Sequence, residues 1–189
     1  MKNMQTIKKY IIFFLGSILS LISFIYFLIF LKKKEKIVVF DIDNTLALSD
    51  PFIYNKQCTI SNVPINESMK NLLLEEKLKN HKVYYLSHRP FYQFFETFFW
   101  IKNNISNKLN LSDVILVSKV HHKLSFLELF VSKSKTKISY YDDLHYGFEV
   151  LNGPFAHDDV ICKVKKLNLN YYDFNYIKKT YEKYNNNCD

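Results

Sequence analysis

Cysteine is scarce in this chain: three in 189 residues, Cys58, Cys162 and Cys188. They are odd in number, widely spaced and form no CxxC, which excludes a disulfide framework and a cysteine zinc site. The same usage leans towards a reducing compartment, and so towards a cytoplasmic globular part. A basic patch is lacking as well. The net charge is +8, but residues 1–36 hold +6 of it, as Lys2, Lys8, Lys9, Lys32, Lys33, Lys34 and Lys36 against one acid, Glu35. The remaining 153 residues carry only +2. Backbone phosphates call for clustered Lys and Arg, so nucleic acid is not the expected partner. Histidines with HExxH-type spacing are missing too. His88, His121 and His122 therefore read as solvated side chains and not as metal ligands. No internal repeat is present.

The basic residues flank the longest uncharged run, Tyr10 to Leu31, which holds 22 residues. As a helix it would extend about 33 Å, against a hydrocarbon core of roughly 30 Å. No small-residue cleavage pattern follows it, only Lys-Lys-Lys-Glu-Lys. The expectation is an uncleaved, single-pass membrane anchor over residues 1–36, with a lipid bilayer as partner of residues 10–31. The globular domain would be 37–189. Three lysines and the terminal amine precede the run and four lysines follow it, so the positive-inside rule leaves orientation open.

The globular part is organised around Ile37 to Leu46. Ile37 to Phe40 is a β-branched and aromatic run that reads as a buried strand. It ends in Asp41 and Asp43, then Asn44 and Thr45. Carboxylates are costly to bury unpaired, so this pair is expected at the mouth of a sheet and not inside it. After a loop from Ser49, punctuated by Pro51 and Pro64, an amphipathic helix is expected over Met69–Leu78, capped by Ser68 or Asn66. Asn80 and His81 close it. Val83–Leu86 is a second strand, ending in Ser87, and an aromatic-rich helix follows over Phe91–Lys102. Val114–Val117 is a third strand, Leu124–Val131 a helix, and Ile138–Tyr141 a fourth strand ending in Asp142 and Asp143. Val160–Val164 reads as a further strand and Tyr171–Tyr184 as a final helix. The Asn-rich end, 185–187, reads as frayed. This alternation is the pattern of an α/β, Rossmann-like, three-layer parallel sheet.

Chemistry collects at the strand ends. Two like charges 4 Å apart repel by about 4 kcal/mol even at an effective dielectric of 20. Gathering Asp41, Asp142 and Asp143 therefore calls for a retained proton or a cation. Hard carboxylate oxygens suit magnesium, which keeps several waters and pairs with phosphate. Ser87 offers a hydroxyl and Lys123 a positive charge for phosphate oxygens. An aspartate can attack phosphorus, and a second carboxyl two residues on can protonate the leaving oxygen and then activate water.

These elements resemble the haloacid dehalogenase-like superfamily of phosphatases. Its first motif, hhhhDxDxT, stands here as Val38-Val39-Phe40-Asp41-Ile42-Asp43-Asn44-Thr45. Its second, a strand ending in Ser or Thr, matches Tyr84-Tyr85-Leu86-Ser87. Its third, a lone Lys at a helix start, matches Lys123, with Lys119 as a rival. Its fourth, an acidic pair after a strand, matches Asp142-Asp143. The agreement covers residues 37–145. Ser87-His88-Arg89-Pro90 also resembles the corresponding stretch of the lipin-type and polynucleotide-phosphatase-type branches. The resemblance implies that Asp41 is the nucleophile and Asp43 the general acid and base. It implies that Ser87 and Lys123 hold the phosphate while Thr45 braces the loop. Magnesium would be bound by Asp41, the Asp43 backbone carbonyl, and Asp142 or Asp143. Arg89 either meets substrate or pairs with an acid. The aromatic run Phe91–Trp100 reads as packing more than as a lipid-binding face.

Family members often carry a cap domain. Only 41 residues separate Thr45 from Ser87 and 35 separate Ser87 from Lys123, nearly all needed for crossover helices. A capless, open site is expected. By resemblance it suits a large or membrane-associated phosphorylated substrate, or an oligomer that closes the site. The sequence reading is thus a membrane-tethered, magnesium-dependent phosphomonoester hydrolase. Two alternatives stand beside it. A catalytically silent binding module is disfavoured by the intact acids of the first motif. A phosphotransferase or nucleic-acid end-processing enzyme is disfavoured by the near-neutral globular part.

Overall fold

The structure is a computed structural model that describes residues 2–30, 36–48, 63–144 and 157–186. Most of the loop from Ser49, the lysines at 32–34, Cys58, Cys188 and Asn187 lie outside the described residues. Five parallel strands form one sheet in the order β3-β2-β1-β4-β5. They are β1 (Ile37–Phe40), β2 (Lys82–Ser87), β3 (Val114–Leu116), β4 (Ile138–Tyr141) and β5 (Leu169–Tyr172). Among the described residues six α-helices accompany them: α1 (Lys2–Phe30), α2 (Glu67–Leu78), α3 (Phe94–Asn104), α4 (His122–Lys133), α5 (Asp158–Lys166) and α6 (Phe174–Asn186).

The expected three-layer α/β architecture is present. Strands buried on both faces read as continuous apolar runs because helices cover each side. On one face Val39, Tyr84, Leu86 and Ile115 pack with α4 and α5 through Leu127, Phe130, Val160 and Val164. On the other, Val38, Phe40, Tyr85 and Leu116 pack with α2 and α3 through Met69, Leu73, Phe94 and Ile101. Stacked rings run across three strands on this second face. Phe40, Tyr141 and Tyr172 are register partners, with centroids 4.6 and 4.4 Å apart.

Local signals account for the element ends. Asn66 caps α2, its side chain accepting from the Met69 N–H at 3.3 Å and from the Ser68 hydroxyl at 2.6 Å. Asn80 closes the helix at φ 60, a left-handed conformation that asparagine tolerates. Two expectations are corrected after β4. Residues 160–164 are helical, not a strand. Val160 and Val164 sit one turn apart on a single buried face, and Asp158, Asp159, Lys163, Lys165 and Lys166 suit the two ends of the helix dipole. The fifth strand is Leu169–Tyr172, so the final helix begins at Phe174.

The expected anchor is also placed differently. Among the described residues no helix is long and apolar enough to cross a membrane. One stripe of α1 instead seats on the globular part. Gly16, Ser20, Ser23 and Phe27, at helical spacing, are its buried positions. Gly16 lies against the Tyr92 backbone, where an added Cβ would come within 2.5 Å of the carbonyl oxygen. The Ser23 hydroxyl reaches the Leu111 carbonyl at 2.6 Å and the Val114 carbonyl at 2.9 Å. Its single proton serves one of them at a time. Phe27 packs edge-on to Tyr84 and Phe130, at 5.5 and 5.4 Å. The helix so covers the exposed edge of β3, where an open strand would otherwise invite pairing with another chain.

Candidate active site

β1 lies between β2 and β4: the chain runs from β1 outward through β2 to β3, then crosses back to β4 on the other side of β1. Ligands of open α/β sheets bind at such a switch point, outside the carboxyl ends of the strands. Asp41 follows β1 there, and Asp142 follows β4. Asp41 donates its backbone N–H to the Tyr141 carbonyl at 2.8 Å, so the two acid-bearing ends are tied together.

The carboxylates are deeper than the sequence implied. Asp41 and Asp142 are 0% exposed and Asp143 is 1% exposed. Lys123, also 0% exposed, makes this tolerable. Its Nζ lies 2.6 Å from Asp142 Oδ2 and 3.2 Å from Asp41 Oδ1. It is the second residue of α4, so the helix start aims it across the sheet end. Lys119 is exposed, so among the two lysines it is Lys123 that joins the carboxylates.

Asp142 is the best satisfied of the three acids. Besides Lys123 it accepts from the Tyr140 hydroxyl, and from the Leu144 N–H at 2.9 Å. Tyr171 donates to its carbonyl at 3.0 Å. Asp41 differs: its Oδ1 lies in the Lys123 ion pair, and no further side chain hydrogen-bonds to either oxygen. Burial pushes its carboxyl up to about 7, against the pull of Lys123 and with a further push from Asp142 and Asp43. Burial also holds Asp143 well above the usual carboxylate range, as do the Asp142 and Asp41 charges. Tyr140 is pushed up by burial and by Asp142, which keeps its hydroxyl a donor. Oxygens of Asp41, Asp142 and Asp143 lie within 4.8 Å of one another, a spacing that a metal ion can span.

The first-motif loop turns sharply after Ile42. The Leu46 and Ala47 N–H groups both donate to the Ile42 carbonyl, at 2.9 and 2.8 Å, and Asn44 takes φ 55. Thr45 is buried in this turn and its hydroxyl has no hydrogen-bond partner. Asp43, partly exposed, is held by Arg89 through both oxygens. Nε reaches Oδ2 at 2.7 Å and Nη2 reaches Oδ1 at 2.6 Å. Arg89 is itself buried and donates from Nη1 to Thr97 Oγ1 at 3.0 Å. Ser87, at the end of β2, lies 3.5 Å from Asp43 Oδ2. All seven expected site residues therefore converge at one end of the sheet.

One contributor, Tyr140, is not singled out by the sequence. Its trace there is only the period of two, which puts residue 140 on the same strand face as residue 142. Of the two expectations for Arg89, the structure shows the pairing with an acid, and that acid is Asp43. The histidines go elsewhere. His121 pairs with Asp159 at 2.8 Å, both exposed, and His88 contacts the Ser118 carbonyl at 3.2 Å. Cys162 is a free, exposed thiol.

No family model matches the chain, and no curated protein matches it. Solved structures do. A class C acid phosphatase from Bacillus anthracis, crystallised with tungstate bound, superposes with a TM-score of 0.51 at 14% identity. The match covers 92% of this chain and 84% of that one. The chain shares that fold. At this identity the likeness speaks for architecture, and the chemistry rests on the residues at the sheet end.

Proposed function

We propose that the chain is a magnesium-dependent phosphomonoester hydrolase working through an aspartyl-phosphate on Asp41. The observation that carries this reading is the buried set of Asp41, Lys123, Asp142 and Asp143 at the switch point. The fold shared with an acid phosphatase adds to it.

The residues fit a magnesium ion. Asp41 keeps two buried oxygens with no side-chain partner but Lys123, and three carboxylates offer hard donors within 4.8 Å. Asp41, the Asp43 backbone carbonyl and one of Asp142 and Asp143 would hold it. Asp143 is the better second carboxylate, because Asp142 already serves Lys123, Tyr140 and Leu144. Once bound, the ion supplies positive charge for the carboxylates and the phosphate.

Lys123 and Ser87 hold phosphate oxygens. Asp41 attacks phosphorus, the bond to the leaving oxygen breaks, and Asp43 gives that oxygen a proton. Asp43 then takes a proton from the water that releases phosphate from Asp41. Arg89 sets the timing. Its two-pronged bond favours the carboxylate form of Asp43, which is the form that activates water. Proton donation in the first step requires Asp43 to leave the guanidinium. Phosphate release from a generic aryl phosphate tests the reaction. Turnover is expected with magnesium, and loss with chelator; a folded protein with magnesium-independent turnover contradicts the reading.

Attachment to a lipid bilayer rests on α1. Twelve large apolar side chains from Tyr10 to Ile29 remain exposed on it, flanked by lysines. An apolar face with basic ends suits a helix lying in the surface of an anionic bilayer. The seat of Gly16 to Phe27 on the globular part favours that placement over a crossing. Flotation with anionic vesicles is expected to carry the full chain, and Leu21→Glu with Ile25→Glu to release it. A chain that stays in the aqueous fraction sinks the proposal.

A further inference from the structure

A cavity of about 440 Å³ opens where α1 crosses the edge of β3. That is within the range of small-molecule sites. Its walls are Leu21 and Phe24 of α1, Phe91, the β3 segment ending at Val117, and Phe126 of α4. No side chain of the candidate active site lines it, but three of its lining residues are immediate neighbours of that site. The Val117 N–H donates to the carbonyl of Ser87 at 2.9 Å. His122, which lines the cavity, directly precedes Lys123. Phe91 stands two residues after Arg89. A molecule whose phosphate meets Ser87 and Lys123 thus has an apolar cavity beside it.

We propose that this cavity takes the hydrocarbon chain of the substrate, so that the site prefers phosphomonoesters of long-chain alcohols or lipids. The inference rests on the phosphatase reading above. The lining chooses between tails. A nucleobase carries a ring of donors and acceptors that must be matched when buried. Rings and aliphatic side chains dominate these walls, and a few serine hydroxyls and His122 are the polar groups among them. An alkyl chain needs no such partners. Two cavity residues, Leu21 and Phe24, belong to the apolar face of α1 that is otherwise exposed. A chain can therefore enter from a bilayer surface or from solution.

The test is the chain-length dependence of turnover by the full protein. The probes are n-alkyl phosphates from methyl to decyl, kept below their micelle concentrations. Each methylene entering an apolar wall is worth about three- to fourfold in affinity. The ratio of kcat/KM for decyl over methyl phosphate is expected to exceed 100-fold. Ser125→Trp, at an exposed rim position of the cavity, is expected to cut that ratio at least tenfold. Efficient turnover with no dependence on chain length overturns the inference and leaves the phosphatase reading standing. If no phosphomonoester is turned over, the reaction fails instead. Calorimetry with decylphosphonate against methylphosphonate then judges the cavity alone. Binding of the long chain, weakened by Ser125→Trp, supports it, and equal or absent binding overturns it. Adding neutral vesicles that carry a lipid phosphate separates a membrane source from a soluble one.

Discussion

Lys123→Met is expected to cost the folded protein about 3–5 kcal/mol, the usual penalty for removing one partner of a buried ion pair. The side chain is 0% exposed and lies within 3.2 Å of two carboxylates that are also 0% exposed. Without it, Asp41, Asp142 and Asp143 share a site with no cation of the protein's own among them. Methionine fills a similar volume, so a packing loss is small beside the charge effect. Domains of this kind are stable by only about 5–15 kcal/mol. Chemical denaturation with chelator present should show a large fall in midpoint, and magnesium should restore part of it. A variant as stable as the native chain would mean that the acids are not held together by Lys123.

Asp41→Asn should do the opposite to stability while removing turnover. The Asp41 carboxyl is raised from 3.8 to about 7 by burial and by its acidic neighbours. The folded state therefore keeps a proton between those values that the unfolded chain has released. Its stability is highest at low pH and is lost as pH rises from about 4 through about 7. The loss attached to this one group is on the order of 4 kcal/mol at most. The amide cannot ionise, so in chelator the variant should be more stable than the native chain at pH 8, by a margin that narrows at pH 5 and closes below about pH 4. Each 1 kcal/mol should appear as a Tm difference of roughly 2–4 °C. A native chain whose Tm rises between pH 5 and pH 8 in chelator would contradict this account of Asp41.

Much of this arrangement was legible in the sequence, for physical reasons. Parallel strands covered on both faces must be apolar throughout, and Ile37–Phe40 and Ile138–Tyr141 are. Acids directly after such runs can lie only at the carboxyl ends of the sheet. A lysine in the first turn of a helix, as Lys123 is, points back over that same end. The rest turned on contacts that leave faint local traces. Val160 and Val164 are β-branched and look like strand, yet their spacing of four already matched a helix face. The seat of α1 was hidden because an apolar run shows no polar side to contrast with a buried one. Its trace was the set of small residues Gly16, Ser20 and Ser23, spaced by four and three. The depth of Asp41 and Asp142 could not be read at all. At Asp142 it comes with the Tyr140 hydroxyl and the Leu144 N–H on the carboxylate and Tyr171 on the backbone carbonyl, which only the folded chain brings together.

The central claim is that Asp41 becomes phosphorylated. The most direct measurement is to mix the full protein and magnesium with a radiolabelled aryl phosphate, quench in acid within a turnover and locate the label. The account predicts acid-stable, hydroxylamine-labile label on the peptide containing Asp41, and none on Asp41→Asn. Phosphate released at the same rate with no labelled protein at any time, or label on another residue, would contradict it.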